Sequence, residues 1–260
     1  MTRPPARASS SPARLRVDQL MVERGVAASR HEAQRLVMRG AVRVAGRPAA
    51  KPGQRVAPDA PVVVEAPARY VSRGGDKLEG ALAAFGLAVE GRVAMDVGAS
   101  TGGFTDCVLQ HGASRVYAVD VGYGQLAWSL RQDARVIVIE RTNIRTLPPS
   151  AIPEPVDLLT ADLSFISLRL VLPVLRPFLA APADLVVLVK PQFEVGRRLV
   201  GRGGVVRDPA LREAAVRQVA EAAEAAGYRV KGWAPSVLPG AKGNQEYFVW
   251  LEWPKGGTTP

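Results

Sequence analysis

The sequence of 260 residues contains one cysteine, Cys107, and two histidines, His31 and His111. A single cysteine excludes an intrachain disulfide and a two-cysteine redox pair, and it leaves no cysteine-ligated zinc site. So few histidines argue against a multi-histidine metal centre and against a Ser-His-Asp triad. We therefore expect a cytoplasmic protein that carries out any catalysis without a bound metal.

The chain also lacks a long hydrophobic run. Its most apolar region, 163–189, is interrupted by charged residues and prolines, so it never reaches the ~18 apolar residues of a membrane-spanning helix. Residues 1–13 are rich in arginine and serine but contain no apolar stretch of the kind found in secretory signals. Their three prolines would interrupt the amphipathic helix of a transit peptide, so we predict a disordered basic extension and no membrane partner.

Negative charge is scarce in the first quarter of the chain. Residues 1–73 hold 14 of the 34 lysines and arginines but only 5 of the 24 acidic residues, and the whole chain has a net charge of +10. A segment with this surplus is attracted to polyanions by counterion release, which makes nucleic acid the leading candidate partner. An acidic membrane surface is the alternative, but the segment shows no apolar face with Trp or Phe for interfacial binding.

Two short helices and three short strands are predicted within this basic segment. Ser29 followed by Glu32 forms a capping-box pattern, and Gly40 fits the end of the second helix. The predicted helices are Val17–Arg24 and Ser29–Arg39, and the predicted strands are Ala41–Val44, Gln54–Val56 and Pro61–Glu65, with turns at Gly46-Arg47-Pro48 and Pro52-Gly53.

The stretch "RVDQLMVERGVAASRHEAQRLVMRGAVRVAGRPAAKPGQRV" resembles an S4 domain, a small α+β RNA-binding module found on ribosomal protein S4 and on several RNA-modifying enzymes. The resemblance implies that basic side chains of this domain face RNA phosphates. The alternative is a solvated basic helix face. The predicted RNA-binding residues here are Arg14, Arg16, Arg30, Arg35 and Arg39.

From Gly91 onward, apolar runs rich in β-branched residues alternate with helical segments. This pattern is typical of an α/β fold with a mostly parallel sheet that is covered on both faces. A helix is predicted from Asp208, with Pro209 at its first position and Gly227 after its end. Seven strands, the number expected of a Rossmann-like class I methyltransferase, are predicted at Arg92–Val97, Arg115–Val119, Val136–Ile139, Val156–Ala161, Leu185–Val189, Tyr228–Trp233 and Tyr247–Trp253.

A glycine-rich loop, "DVGASTGGF", follows the first of these strands, where such sheets bind ligands. Its glycine spacing does not fit a dinucleotide fingerprint, and it lacks the lysine of a P-loop. Asp120, at the end of the next strand, can bind the two ribose hydroxyls of an adenosine, so S-adenosylmethionine (SAM) fits best. The alternative is a tight turn without a ligand. The predicted cofactor residues are Asp96, Gly98, Ser100, Thr101, Gly102, Gly103, Phe104, Asp120 and Asn143.

The acceptor of the reaction is indicated by the ends of the fourth and fifth strands. Enzymes that methylate base amines carry [DN]-P-P-[FY] where this sequence has Asp-Leu-Ser-Phe, beginning at Asp162. Cys107 lies in the wrong place for attack on cytosine C5, which leaves a hydroxyl acceptor. Lys190 ends an apolar strand, where a lysine needs a partner, and Asp162 is one strand away.

Eight motifs in order resemble the TlyA family of ribosomal RNA 2′-O-methyltransferases, historically called haemolysin A. They are "YVSRGGDKLEGAL", "DVGASTGGFTD", "AVDVGYGQLAWSLR", "ERTNIR", "ADLSFISL", "LVKPQFEVG", "GGVVRD" and "GNQEYF". The methyltransferase part is similar to FtsJ-type enzymes, and the resemblance assigns the catalytic Lys-Asp-Lys-Glu tetrad of these enzymes to Lys77, Asp162, Lys190 and Glu246. It implies methylation of a cytidine 2′-hydroxyl in ribosomal RNA or ribosomal subunits, with SAM as the methyl donor.

In that chemistry the ribose hydroxyl must lose its proton as the new bond forms. Lys190 would accept this proton or stabilise the developing alkoxide, while the two carboxylates orient the ammonium groups. Which lysine is the base stays open, and surface ion pairs are the alternative for all four residues. Arg73, in "SRGG", would bind a phosphate near the target ribose.

The predicted domain organisation is an extension at 1–13, an S4-like domain at 14–66, a linker at 67–74, a methyltransferase domain at 75–254 and a flexible tail at 255–260. Arg69-Tyr70-Val71 matches the short interdomain linker of the family. Two other functions stay open: a cytolysin, and an RNA-binding protein that has kept the fold without catalysis.

Overall fold

The computed structural model describes residues 13–38, 40–65, 68–240, 242–254 and 256. The predicted extension and tail therefore lie almost entirely outside the described residues, and so does Arg39. The chain divides between Ala68 and Arg69 into two compact units. In the part of the chain that is described, no helix has the length and hydrophobicity that crossing a membrane requires.

The first unit contains two helices and five short strands. These are β1 (Leu15–Arg16), α1 (Val17–Glu23), α2 (Arg30–Met38), β2 (Val42–Val44), β3 (Arg47–Pro48), β4 (Arg55–Val56) and β5 (Val62–Val64). Strand β2 lies between β3 and β5 in an antiparallel sheet, and β1 pairs with β4. Apolar side chains of both helices, including Leu20, Met21 and Val37, pack with Val42 and Val44 in a small core. This arrangement confirms the predicted α+β domain.

The helices of this unit match the prediction to within one residue at each end, but one turn was wrong. Ser29 Oγ accepts a hydrogen bond from the Glu32 N–H at 3.2 Å, as the capping-box pattern predicts. The predicted turn at Gly46-Arg47-Pro48 is instead a two-residue turn at Ala45 and Gly46, with φ of 48° and 76°. Positive φ at both positions is the geometry of a tight hairpin, so Arg47–Pro48 is free to pair with β2.

The second unit is a sheet of seven strands with helices on both faces. Its helices and strands are α3 (Arg73–Phe85), β6 (Val93–Val97), α4 (Gly103–Gln110), β7 (Arg115–Val119), α5 (Trp128–Arg131), β8 (Val136–Ile139), β9 (Val156–Ala161), α6 (Leu172–Leu175), β10 (Leu179–Val189), α7 (Pro191–Glu194), α8 (Pro209–Ala225), β11 (Arg229–Pro235) and β12 (Tyr247–Trp253). Short 3₁₀ turns occur at Ile144–Thr146, Pro149–Ala151, Leu168–Leu170, Arg176–Phe178 and Arg197–Leu199.

The strand order is β11-β12-β10-β9-β6-β7-β8, and only β12 runs antiparallel to its neighbours. Alternate residues of the central strands face opposite sides, so Met95 packs in one core and Ala94 in the other. The strands β6, β7, β9 and β10 end at one edge of the sheet, which is where such folds bind ligands. This arrangement confirms the predicted Rossmann-like class I methyltransferase fold.

Two element starts in this unit differ from the prediction, and one agrees with it. Strand β10 begins at Leu179 rather than Leu185, because Leu179 already pairs with Val156 of β9, and Ala183 and Asp184 pair with β12. Helix α3 begins at Arg73, inside the predicted linker at 67–74. The start of α8 is as predicted, since Asp208 Oδ1 accepts a hydrogen bond from the Ala210 N–H at 2.9 Å.

Candidate active site

A cavity of about 880 Å³ opens at the edge of the sheet where the parallel strands end. Its walls come from the start of α3, the loop between β6 and α4, the segments after β9 and β10, and the loops before α8 and β12. All four residues of the predicted tetrad line it, although they come from distant parts of the chain: Lys77, Asp162, Lys190 and Glu246. A concave site with a few converging charged groups is the usual form of an active site.

The first pair of the tetrad joins helix α3 to the residue before β12. Lys77 Nζ donates a hydrogen bond to Glu246 Oε2 at 2.6 Å across 169 residues of sequence. Their side chains are 10% and 3% exposed, so this ion pair is almost completely removed from solvent. Removing one partner of such a pair costs about 3–5 kcal/mol, because the other charge is left buried alone.

The second pair lies at the ends of the neighbouring strands β9 and β10. Lys190 Nζ is 2.6 Å from Asp162 Oδ1, and it donates a hydrogen bond to Ser164 Oγ at 3.0 Å. An ammonium group has three hydrogens. One is donated to Ser164 Oγ, and the contact with Asp162 is an ion pair in which Oδ1 makes no hydrogen bond, so at least one hydrogen is left for another oxygen. The pair is therefore fixed in direction and still able to bind an acceptor. Nothing in the sequence marked Ser164 as a partner of the lysine.

Two glycines of the glycine-rich loop, Gly98 and Gly103, pack so closely against neighbouring segments that neither position has room for a side chain. Gly98 has a φ of 87°, and a Cβ there would lie 2.6 Å from the carbonyl oxygen of Asp162. A Cβ at Gly103 would lie 2.9 Å from the backbone nitrogen of Gly75, so the starts of α3 and α4 also touch through glycines. Glycine at these positions lets the loop, the two helix starts and the tetrad share one small volume.

Asp120 lies at a second, smaller hollow beside the cavity. Its carboxylate accepts hydrogen bonds from the Ser100 N–H at 2.8 Å and the Gly122 N–H at 2.6 Å, which fixes its orientation. Ala99 and Ser100 line both the hollow and the main cavity. The second hollow measures only about 10 Å³, so a ligand in the main cavity would meet Asp120 with one edge and would not fill this hollow. The predicted cofactor residues that line one or both are Gly98, Ser100, Thr101, Gly103, Phe104 and Asp120.

Three predicted cofactor residues do not line either hollow. Asp96 is only 1% exposed, and its carboxylate accepts two hydrogen bonds from Thr105 at the start of α4. Gly102 is the N-cap of α4 with a φ of 98°. Asn143 is exposed, and its side chain accepts a hydrogen bond from the Arg145 N–H at 3.0 Å as the cap of a 3₁₀ turn. Asp96 and Gly102 shape the loop, and Asn143 has a local capping role.

Burial gives Asp96 a distinctive pH dependence. Loss of hydration raises the pKa of this carboxyl from 3.8 to about 7, against the lowering effect of the Thr105 hydrogen bonds. Between these pH values the unfolded chain releases a proton that the folded protein keeps, so the free energy of unfolding falls as pH rises.

We expect Asp96→Asn to remove this contribution. The difference in free energy of unfolding between wild type and variant should change by about 1 kcal/mol per pH unit between the two pKa values. Urea denaturation at several pH values measures it, with Glu221→Gln on the exposed face of α8 as the control. Parallel curves for wild type and Asp96→Asn would contradict the assignment.

An aromatic pair stands at the mouth of the cavity. Phe165 is 91% exposed with a φ of 66°, and its ring centre lies 5.2 Å from that of Phe193. Both residues line the cavity, together with the exposed Arg73. A bulky side chain rarely adopts positive φ, and a fully exposed ring is unfavourable in water. Such a feature points to a ligand that stacks, and the sequence alone did not reveal it.

Two of the predicted RNA-binding arginines of the first unit, Arg16 and Arg30, contact a buried acid. Asp18 is fully buried and accepts hydrogen bonds from Arg16 at 2.8 and 2.9 Å, from Arg30 at 3.2 Å and from Gln34 at 3.1 Å. The Arg16 guanidinium holds the pKa of this carboxyl well below its usual range. Arg16 and Arg30 are thus held in place with 41% and 58% of their side chains exposed. Arg14 and Arg35 are exposed.

The sheet, the glycine-rich loop and the cavity at the strand ends define a methyltransferase of the Rossmann-like class. The family model for an FtsJ-like methyltransferase matches residues 70–253, and that for an S4 domain matches residues 15–62. With the relatives described next, these matches show that the chain belongs to the TlyA family of S4-containing, FtsJ-like methyltransferases. The resemblance found in the sequence motifs is thereby confirmed.

Relatives cover nearly the whole chain. It is 55% identical over 240 residues to the 16S/23S rRNA (cytidine-2′-O)-methyltransferase TlyA of Mycobacterium tuberculosis, covering 92% of this chain and 90% of that protein. It is 38% identical to Hemolysin A of Brachyspira hyodysenteriae, covering 90% and 98%. A solved Streptococcus thermophilus structure that carries the name hemolysin superposes with a TM-score of 0.72 at 42% identity, covering 95% and 92%.

Proposed function

We propose that this chain transfers a methyl group from SAM to the 2′-hydroxyl of a cytidine in ribosomal RNA, in the cytoplasm. The observation that carries the proposal is Lys190, which lines the cavity and contacts Asp162 and Ser164 with at least one N–H left for a further partner. The buried Lys77–Glu246 pair lines the same cavity. The name of the mycobacterial relative supports the choice of a cytidine 2′-hydroxyl as acceptor.

The residues at the two hollows fit SAM. Asp120 has its carboxylate fixed by two backbone N–H groups, so its outer edge is available to a ribose diol. The glycine-rich loop from Gly98 to Gly103 leaves space for close approach of a ligand. When bound, SAM supplies an activated methyl group on its sulfonium.

The chain's own residues position the acceptor and manage its proton. As an ammonium group, Lys190 Nζ would donate a hydrogen to the ribose oxygen and stabilise the alkoxide as its proton leaves to water; as a neutral amine, it would accept that proton through its lone pair. Asp162 and Ser164 hold that ammonium group in direction. The Lys77–Glu246 pair adds a second fixed dipole, and two lysines with two carboxylates keep the site near neutrality. Alignment within one small cavity supplies much of the rate enhancement.

The surroundings of the tetrad suit an RNA substrate. Bases taken out of a helix stack on aromatic rings, and the exposed ring of Phe165 against Phe193 offers such a surface. Arg73, exposed at the same cavity, is placed to bind a phosphate. In the S4 domain, Arg14, Arg16, Arg30 and Arg35 would contact RNA phosphates.

A labelling experiment tests the proposal directly. The protein is incubated with methyl-labelled SAM and with small and large ribosomal subunits that lack the modification, and the labelled nucleotide is mapped by nuclease digestion and mass spectrometry. We expect label on the ribose of a cytidine. Label on a base, or no label with any subunit while SAM binds, would contradict the proposed reaction.

The name of the Brachyspira relative makes a cytolysin the second candidate. The Lys190→Ala variant distinguishes membrane lysis from methyl transfer, because a cytolysin would not need the tetrad. Lysis of erythrocytes that survives this substitution would support the cytolysin, and absence of SAM binding in calorimetry would support a non-catalytic RNA-binding protein.

A further inference from the structure

One wall of the cavity carries positive charge that the tetrad does not use. Between Glu194 and Asp208 the chain has no acidic residue. In this segment Arg198 and Arg202 are exposed, and Lys242 in the loop before β12 is exposed and lines the cavity. None of these three cations forms an ion pair with any described residue. We call residues 198–206 together with Lys242 the basic wall.

The basic wall contains a narrow turn that exposes backbone. Gly201 and Val205 form a β-bridge, and the two glycines between them, Gly203 and Gly204, have φ of 81° and 79°. A Cβ at Gly204 would lie 3.5 Å from Lys242 Nζ, so the ammonium group lies close to the turn. The result is a surface of cations and bare backbone beside the cavity.

A single buried side chain fastens this turn to the catalytic residues. Asn244 is 2% exposed, and its Oδ1 accepts a hydrogen bond from the Val206 N–H at 2.9 Å. Its Nδ2 donates to the carbonyl oxygen of Gly204 at 2.8 Å. Its own carbonyl oxygen accepts from the Gly240 N–H at 2.9 Å. Asn244 therefore joins the basic wall to the chain segment that, two residues later, supplies Glu246.

The groups of an RNA substrate that would contact the basic wall are its backbone phosphates. A phosphodiester flanks each ribose on both sides, so a ribose that enters the cavity brings phosphates to its mouth. Lys242 and Val200 line the cavity, and Arg198 and Arg202 are each two residues from Val200 along the chain. Their unpaired ammonium and guanidinium groups are suited to bind such phosphates. An acidic protein segment would satisfy the same charges, but it would not explain their position at the cavity that receives the acceptor.

We propose that Arg198, Arg202 and Lys242 bind the RNA backbone next to the acceptor nucleotide, and that Asn244 holds this basic wall in register with the Lys77–Glu246 pair. This proposal rests on the proposed function, since it takes RNA as the substrate. It adds a contact surface on the methyltransferase domain to the arginines of the S4 domain. Asn244 is a positioning residue that does not touch the substrate.

The first test removes the charge without disturbing the core. In Arg198→Gln/Arg202→Gln/Lys242→Gln we expect KM for ribosomal subunits to rise about tenfold or more. The slope of log affinity against log salt concentration should fall by about 2, because three phosphate contacts are lost. SAM affinity measured by calorimetry should stay within about twofold of wild type, since the change lies in RNA binding.

The matched control is Arg217→Gln/Arg229→Gln/Lys231→Gln. It removes the same charge from surface residues that are paired with Glu213 and Glu252. Equal KM values and equal salt slopes in the two triple variants would overturn the proposal. If wild type binds RNA with the expected salt slope but transfers no methyl group, the proposed function fails while the basic wall stands.

The second test addresses the positioning role of Asn244. In Asn244→Ala we expect faster hydrogen exchange at the Val206 amide, a higher KM for RNA and a lower kcat, with SAM binding retained. Gln245→Ala is the control, because the side chain of Gln245 donates only to the carbonyl oxygens of Ser236 and Glu246. Unchanged exchange at 201–206, or an equal kinetic loss in Gln245→Ala, would overturn the positioning role. Should Asn244→Ala fail to fold, the charge variants still decide the RNA contact.

Discussion

Replacing Lys190 with alanine is expected to lower kcat for RNA methylation by about 10³-fold. The substitution removes the one ammonium group of the cavity that is held by two partners and still has a free donor position. Positioned proton transfer contributes about 10²- to 10⁴-fold to such reactions, and stabilisation of the alkoxide adds to it. Binding of SAM should persist, because in the described part of the chain Asp120 and the glycine-rich loop, the proposed adenosine-binding groups, make no hydrogen bond with this side chain.

Single-turnover methylation of ribosomal subunits measures the effect, with calorimetry for SAM on the same protein. Lys231→Ala provides the control, since Lys231 is an exposed lysine that pairs with Glu252 on the surface of the sheet. Turnover above about a tenth of wild type in Lys190→Ala would be incompatible with the role given to the lysine. So would a loss that merely follows weakened SAM binding.

Replacing Gly98 with alanine is expected to weaken SAM binding by about 100-fold. The residue has a φ of 87°, which costs an alanine about 1–2 kcal/mol, and the new methyl group would lie 2.6 Å from the carbonyl oxygen of Asp162. The clash adds to that strain, because backbone on both sides must move. Since the loop and Asp162 then shift together, methyl transfer should fall as well.

Calorimetric titration with SAM checks this result, and Gly91→Ala isolates its cause. Gly91 has a similar φ of 73° but open space around its position, so that variant carries the backbone strain without the clash. Thermal melts of both variants show whether folding is preserved. If Gly98→Ala bound SAM within about threefold of Gly91→Ala, close packing of the loop against Asp162 would have no part in cofactor binding.

The fold was predictable from sequence because most of its central strands are short apolar runs rich in β-branched residues. Parallel strands that are buried on both faces consist of β-branched residues, as in Val136–Ile139, and their carboxyl ends share an edge. That rule alone brings Asp162 and Lys190 together. It cannot bring Lys77 to Glu246, which are 169 residues apart, and only the resemblance to a known family supplied that pair.

The differences between the expected and the observed positions at the site come from side-chain direction, which residue spacing does not encode. An acid near the end of a strand can point at a ligand or turn inward, and Asp96 turns inward to Thr105. Ser164 and Asn244 gain their roles from contacts with chain segments 26 and 38 residues away. The Ala45-Gly46 turn was missed because an alanine seldom adopts positive φ.

Strand β12 has a consequence for the order in which the enzyme is made. It lies between β10 and β11, and the residue that precedes it is the partner of Lys77. During synthesis the glycine-rich loop is translated more than a hundred residues before Glu246. The proposed SAM-binding segment is therefore made long before the last residue of the tetrad. On the proposed mechanism, a nascent chain therefore has its complete tetrad only after β12 has been released from the ribosome and inserted into the sheet.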